Sequence, residues 1–332
     1  MTLTICIPTY NRSGFLDRCI RVLLAQITEG VILKEIAVFD NCSTDNTEDV
    51  IKSLQQGTDL IKYFKNDRNL GPDGNIAKCY LYAKTDYVWV LGDDDVVLPG
   101  GIDYLSKLLK FSGEVGVVFL NSYGFVNDYI AERPKLFNPR YSYQYRGGEI
   151  ISKEVSNVSF ISGNIVNTKF IDKKDIDEAA STLLIQMPGI MSAIIGSEKN
   201  IYVDKYLLAQ QSENSTSYRY FTVFGNNFPE LASKYIKNER YKRWMFNQLI
   251  INIFPLPLLR SKRSKTEFIE KDAYDIIKPQ FKKYIAFWVL LYPIAKLPYS
   301  LAIVYAFFVR AFAKFVVYLR KIPNTKPLRF QS

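Results

Sequence analysis

Apolar and polar positions follow two different periods over the first third of the chain. Residues 3–7 form a short, continuous apolar run, as in a strand buried on both faces, and after Tyr10 the apolar residues recur at helical spacing: Phe15, Leu16, Cys19, Ile20, Leu23 and Leu24. Residues 36–39 predict a second strand ending at Asp40. Residues 43–46 then offer helix-capping side chains for a helix over 49–54. Residues 61–64 predict a third strand, 74–82 a further helix, and 87–91 a fourth strand that runs into Gly92-Asp93-Asp94-Asp95. This alternation predicts an α/β fold with a mostly parallel, mixed sheet flanked by helices. In such sheets ligands bind at the carboxyl ends of the strands, where residues 8–12, 40–45 and 93–95 fall.

Beyond Gly116 the pattern is less regular. Strands are expected over 117–121 and 158–166, with a polar, tyrosine-rich segment over 137–145 between them that reads as a lid or acceptor-side region. Residues 235–254 carry a helical apolar stripe (Trp244, Phe246, Leu249, Ile250, Ile253), which Pro255-Leu256-Pro257 is expected to end before a basic stretch at 260–265. A boundary near residue 230 divides the chain into a catalytic domain, 1–230, and a helical C-terminal region, 231–332.

Charge sharpens that division. The chain carries +10 overall, with 23 basic against 28 acidic residues in 1–230 and 20 against 5 in 231–332. No acidic residue follows Asp275, while ten Lys and Arg are threaded through aromatic and aliphatic runs, among them Arg310 and Lys314, four apart beside Phe308, Phe312 and Phe315. The apolar stretch 284–319 is broken by Pro293, Lys296, Pro298, Arg310 and Lys314 into runs of about a dozen residues, where a spanning helix needs about 20. The expectation is an interfacial helix lying on an anionic membrane surface. The opening residues, MTLTICIPTYNR, have no basic leader, so the N-terminus is expected in the cytoplasm, and with the basic tail the expected location is peripheral, on the inner face of the cytoplasmic membrane.

Composition removes several chemistries. There is no histidine, so triads, Cys-His pairs and His-ligated zinc are excluded and proton transfer must use carboxylates. Cys6, Cys19, Cys42 and Cys79 are scattered without a CxxC pair and read as reduced thiols. The sharpest candidate is Asp93-Asp94-Asp95, because three adjacent carboxylates repel one another unless solvent or a cation relieves them, and Mg²⁺ or Mn²⁺ takes oxygen ligands together with phosphate. The competing reading is a solvated acidic turn. Asp40 ends its strand where a carboxylate can accept from a nucleobase or ribose, with capping assigned to Ser43 or Asp45. The glycine-rich turn Asn69-Leu70-Gly71-Pro72-Asp73-Gly74-Asn75 would let backbone approach a phosphate or sugar, but it lacks dinucleotide-fingerprint and P-loop spacing.

Taken together, IPTYNR, FDNCSTDNT, NLGPDGN and LGDDDVVLPGG resemble, in order and spacing, the inverting bacterial glycosyltransferases of family 2 type with the GT-A, Rossmann-like fold. The likeness is greatest to enzymes of O-antigen, capsule and other surface polysaccharides, the abequosyltransferase-like group included. It covers residues 1–120 well and 150–210 loosely. It implies a nucleoside diphosphate sugar donor, a lipid-linked saccharide acceptor and Mg²⁺ or Mn²⁺. Pro8, Thr9, Tyr10 and Arg12 match the loop bordering base and diphosphate, and Asp40 matches the base-contacting aspartate. Asn75 belongs to the turn assigned to the donor, and Asp93 and Asp94 to the nucleotide sugar. Asp93 and Asp95 match the DxD element that holds the metal, though Gly92 stands where many relatives have the first aspartate. The pair is therefore either Asp93 with Asp95 or Asp94 with Asp95.

Inverting relatives use a carboxylate base upstream of a Gly-containing turn leading to a short strand, and residues 194–202 resemble that turn and strand. Here that upstream stretch is Leu183-Leu184-Ile185-Gln186-Met187, which has no acid, so Asp177 and Glu178 are the nearest candidates, against a reading in which they only open a helix. The rival enzyme reading is a metal-dependent sugar nucleotidyltransferase. A nucleic-acid-binding role for the basic tail is disfavoured, because the acidic cleft would repel a polyanion.

Overall fold

The computed structural model describes residues 1–135, 142–151, 159–212, 219–263, 269–321 and 327–328. The first half alternates β1 (Leu3–Thr9), α1 (Ser13–Leu24), β2 (Leu33–Asp40), α2 (Thr47–Gln55), β3 (Ile61–Lys65), α3 (Gly71–Tyr82), β4 (Tyr87–Val90), β5 (Val96–Val97) and α4 (Gly101–Ser112). There follow β6 (Val117–Phe125), β7 (Ser142–Tyr145), β8 (Asn164–Asn167), helices Lys173–Glu178 and Met187–Gly196, and the long strand β9 (Asn200–Gln211). Helices make up the rest, up to β10 (Pro327–Leu328).

One mixed sheet carries the strands in the order β10-β7-β9-β6-β8-β4-β1-β2-β3, with β5 pairing β9 off that path. β1 lies between β2 and β4, parallel to both, and β3 extends this parallel block. β8 runs antiparallel between β4 and β6, and β9 returns parallel to β6. The carboxyl ends of β1, β2 and β4 therefore open on one edge, where Thr9, Asp40 and the loop after Val90 meet.

Alternation along each strand fills two cores. Ile5, Ile7, Trp89 and Leu91 face α1, α2 and α4, while Cys6, Val88 and Val90 face the opposite layer. That second core continues through Phe221, Phe246, Phe254, Phe281 and Phe287 into Ala306 and Val309, so one buried apolar cluster runs across residue 230.

Local differences from the sequence reading have physical causes. Helix α3 begins at Gly71, not Gly74, because Gly71 takes φ 72 and Pro72 pre-sets the first turn. α4 was not expected; Gly100, at φ 79, allows the sharp entry. Of the strand expected at 158–166, Asn164–Asn167 is extended and 161–163 form a 3₁₀ turn, while residue 158 lies outside the described residues, as do 137–141 of the tyrosine-rich segment and 264–265 of the basic stretch. The helical run from Glu239 ends at Ile253, just before Pro255 as the sequence predicts, and Pro255 then opens a separate helix, Pro255–Ser261, since a first-turn proline lacks only an N–H with no intrahelical partner. Among the described residues, no helix is long and apolar enough to cross a membrane.

Candidate active site

Three loops build the site, and short polar side chains stitch them together. Asn11, at φ 52, accepts at Oδ1 from the Thr44 N–H at 2.8 Å and donates its own N–H to Ser43 Oγ at 2.9 Å. Asp45 accepts from the N–H groups of Thr47, which opens α2, and Ser13, which opens α1. Asp45 thus takes the expected capping duty, and Ser43 instead pins the first loop. This stitching sets Arg12 at the start of α1, aimed across the strand ends.

Asp93, Asp94 and Asp95 are all buried. Thr9 Oγ1 donates to Asp93 Oδ2 at 2.7 Å, and Arg12 Nη1 reaches Asp94 Oδ2 at 2.8 Å and Asp93 Oδ1 at 3.3 Å. Asp95 is held differently: its oxygens accept from the Ser162 hydroxyl and the Gln211 N–H, both neutral, and no described cation pairs it. Burial, and then the charge of Asp94, push Asp93 up to about 6 and Asp95 up to about 7. Ser162 also accepts from the Gly92 N–H at 2.9 Å, and its carbonyl takes Trp89 Nε1 at 2.7 Å, which fixes the turn after β4. Arg18 donates to the Asp94 carbonyl at 2.8 Å and to Gln211 Oε1 at 3.1 Å while lying over Phe15 and Phe125.

The chemistry of this donor set suits a hard divalent cation as a partial shell. The oxygens are carboxylate, one carboxylate has no positive partner among the described residues, and the remaining positions would fall to phosphate oxygens and water. Among the described residues no group of three or more Asp, Glu, Cys or His is placed to hold a metal ion, so at most two of these carboxylates would serve as protein ligands.

The neighbouring positions divide into those that face the cleft and those that support it. Tyr10 is exposed on the first loop and Pro8 half-buried at the end of β1. Asp40 is fully buried, accepting from the Ser43 N–H at 2.8 Å and the Tyr63 hydroxyl at 2.6 Å. Burial, reinforced by Asp40, raises the Tyr63 hydroxyl well above its ordinary pKa. Asn75 is also buried: its Nδ2 donates to the Phe39 carbonyl and its Oδ1 accepts from Asn66, which in turn donates to Asn41. Asn75 thus supports the turn from beneath, with both amide atoms engaged by protein.

Asp177 and Glu178 are exposed on the short helix Lys173–Glu178, where Glu178 is ion-paired with Lys174 and Lys234. Neither shares a hydrogen bond or ion pair with the three aspartates among the described residues. Gln186 caps the helix Met187–Gly196 and donates to the Ser159 carbonyl at 2.8 Å. Arg18, Tyr63, Ser162 and Gln211 escape sequence reasoning, because their contacts with the site are set by packing and long-range pairing.

A parallel α/β block with a buried acidic cluster at its strand ends is the GT-A architecture of nucleotide-sugar-binding glycosyltransferases. The chain belongs to glycosyl transferase family 2, whose domain matches residues 4–173. Over 116 residues it is 33% identical to the abequosyltransferase RfbV of Salmonella typhimurium, covering 35% of this chain and 34% of that protein. Over 106 residues it is 36% identical to the GalNAc(5)-diNAcBac-PP-undecaprenol beta-1,3-glucosyltransferase of Campylobacter jejuni, 32% of this chain and 33% of that one. The match thus spans about a third of each relative. The fold aligns with S. aureus TarS 1–349 in complex with UDP at TM-score 0.63 and 15% identity, covering 100% of this chain and 97% of the other. It also aligns with the mannosyltransferase PcManGT of Pyrobaculum calidifontis in complex with GDP-Man and Mn²⁺ at TM-score 0.53 and 12% identity, covering 97% and 88%.

Proposed function

We propose that the protein transfers a sugar from a nucleoside diphosphate donor to a lipid-linked saccharide in surface polysaccharide synthesis, by direct displacement with inversion. The observation that carries this reading is the buried aspartate cluster at the ends of β1 and β4, with Arg12 on two of its members and no described cation on the third. Arg12 and the exposed Tyr10 border the nucleotide, and Asp40 sets the adjoining loop against its base. Mg²⁺ or Mn²⁺, held by Asp95 with Asp93 or Asp94, would supply charge stabilisation to the departing diphosphate. Arg12, freed from the carboxylates, then pairs with phosphate oxygens in the bidentate manner guanidinium favours. The bond from the acceptor oxygen to the anomeric carbon forms as the bond to phosphate breaks, and the hydroxyl proton passes to a carboxylate.

Attachment to the cytoplasmic membrane from its inner face is the second half of the proposal, and it assigns the division near residue 230 as one between donor chemistry and docking. The helix Tyr299–Lys321 turns small residues inward, with Ala302, Ala306 and Val309 buried, and bulky ones outward: Phe307 is 70% exposed and Phe308 63%. A helix packed only for solubility shows the reverse pattern. With the acid-free sequence around it, the outward face suits an anionic bilayer. The side chains of Lys314 and Phe315, assigned to this face from sequence, lie outside the described residues.

The test is to screen purified protein against a panel of nucleotide sugars, with Mg²⁺ or Mn²⁺ and a lipid extract as acceptor source, for release of nucleoside diphosphate. Release with one donor that depends on the extract supports the reading, and no release with any donor counts against it.

A further inference from the structure

Away from the aspartate cluster, the helix Glu239–Gln248 with the turn after it, residues 283–290, and Phe312 of the helix Tyr299–Lys321 line a groove of about 740 Å³. A groove of that size can take a drug-sized molecule, or the headgroup and part of one chain of a lipid. Its apolar wall is formed by Ile251, Ile285, Val289, Leu290 and Phe312. Ile285 is 82% exposed and Val289 53%, so among the described residues nothing covers this wall.

The polar end is cationic. Glu239 is ion-paired with Lys242 at 2.7 Å and also feels the charges of Lys283 and Arg243, neither of which has an ion pair among the described residues; Lys283 flanks the rings of Phe246 and Tyr284, and the two cations outnumber the one acid at this end. The groove therefore offers two cations at one end and a hydrocarbon surface at the other. Two π-helical turns, Leu249–Ile253 and Phe287–Leu291, pack against each other and supply Ile251 on one side and Val289 and Leu290 on the other. Single π turns are rare and are found disproportionately at functional sites, because each widens the helix and re-aims the side chains around it. The chain's last described residues do not supply a cover, since Pro327–Leu328 pairs with Ser142 and Tyr143 at the sheet edge.

We infer that this groove binds one anionic phospholipid of the bilayer, its phosphate between Arg243 and Lys283 and one acyl chain along Val289, Leu290 and Phe312. The inference rests on the membrane reading above and adds a stoichiometric site to it. A single lipid drawn into the groove would set the rotation of the C-terminal helices on the membrane, which an exposed aromatic face alone leaves free.

The test uses full-length protein and short-chain phosphatidylglycerol kept below its micelle-forming concentration, so that binding is read by calorimetry without a bilayer. The expected result is one lipid per chain, bound about tenfold tighter than phosphatidylcholine of the same chain length. Arg243→Gln with Lys283→Gln should abolish that preference, Val289→Asn should weaken both lipids, and Lys107→Gln on α4 should change neither. Equal binding of the two lipids, an unaltered preference in the double variant, or displacement by an equal concentration of inorganic phosphate would overturn the site. Flotation of the same proteins with anionic liposomes separates the two claims. Flotation without short-chain binding overturns the groove alone, and one-to-one binding without flotation overturns the peripheral attachment alone.

Discussion

Arg12 bridges two loops, its Nη1 lying 2.8 Å from Asp94 and 3.3 Å from Asp93, so the guanidinium sits where a donor diphosphate and its cation would place positive charge. In the absence of donor it relieves the repulsion between two buried carboxylates. Arg12→Ala should lower stability by about 1–2 kcal/mol at pH 8, since the carboxylates lose their charged partner and Arg12 is itself partly solvated. The loss should shrink at pH 5, where Asp93 takes up a proton. Urea unfolding at the two pH values measures this, and an equal loss at both would mean that the pair contributes no charge-dependent stability.

The acidic cluster also sets a pH dependence of the wild-type fold. Asp93 and Asp95 keep their protons up to about 6 and about 7 when folded, against 3.8 for the ordinary carboxyl. Between those limits the folded state binds more protons than the unfolded chain, so this contribution to stability falls as pH rises from about 4 to 7. Asp95→Asn removes one buried charge and should stabilise the metal-free protein at pH 7.5 by about 1 kcal/mol while abolishing transfer. Thermal melts in chelator, together with turnover in Mn²⁺, check both halves. A less stable variant, or one that keeps full activity, would contradict the assignment.

Asp40 and Tyr63 form a buried hydroxyl–carboxylate pair behind the loop assigned to the nucleobase. Tyr63→Phe should leave the Ser43 latch on Asp40 in place and weaken free nucleoside diphosphate no more than about threefold, whereas Asp40→Ala, which loses the latch as well, should weaken it at least about tenfold. Titration of the diphosphate onto both variants decides. Unchanged affinity in Asp40→Ala would confine this residue to a structural role.

How much of this was legible from sequence depended on distance along the chain. Asp93, Asp94 and Asp95 are consecutive and follow an apolar strand, and Thr9 and Arg12 follow another, so local pattern was enough to find them. Ser162 and Gln211 reach Asp95 from 67 and 116 residues away, through pairings no local period encodes. The same limit applies to Asn75: its turn was recognised, but its burial against Phe39 and Asn66 is set by packing. The centre of the parallel block was readable because β1, β2 and β4 are mostly buried on both faces. β9 was expected only as a short strand after a turn, because its length comes from partners on both of its edges.

For the catalytic base, Glu178 is already engaged by two lysines and Asp177 is open to solvent. Asp177→Asn with Glu178→Gln should therefore leave donor affinity unchanged and turnover within about threefold. A general base contributes about 100-fold or more, so a loss of that size would assign the proton transfer to this helix.

The outward aromatics of the last long helix give a test that leaves the core intact, which a truncation removing buried Phe281 and Phe287 would not. Phe307→Ser with Phe308→Ser should release the protein from anionic liposomes while its melting temperature and nucleotide affinity stay unchanged, because apolar insertion supplies most of the affinity. Undiminished flotation would move the docking face elsewhere.

The central claim is that the aspartate cluster breaks the bond between sugar and diphosphate. Phosphorus NMR of a reaction with the best donor, Mn²⁺ and a lipid-linked acceptor identifies the phosphorus product directly. The account predicts free nucleoside diphosphate, formed in step with glycosylated lipid and absent in Asp95→Ala. Pyrophosphate in its place would contradict the account and mark a nucleotidyltransferase.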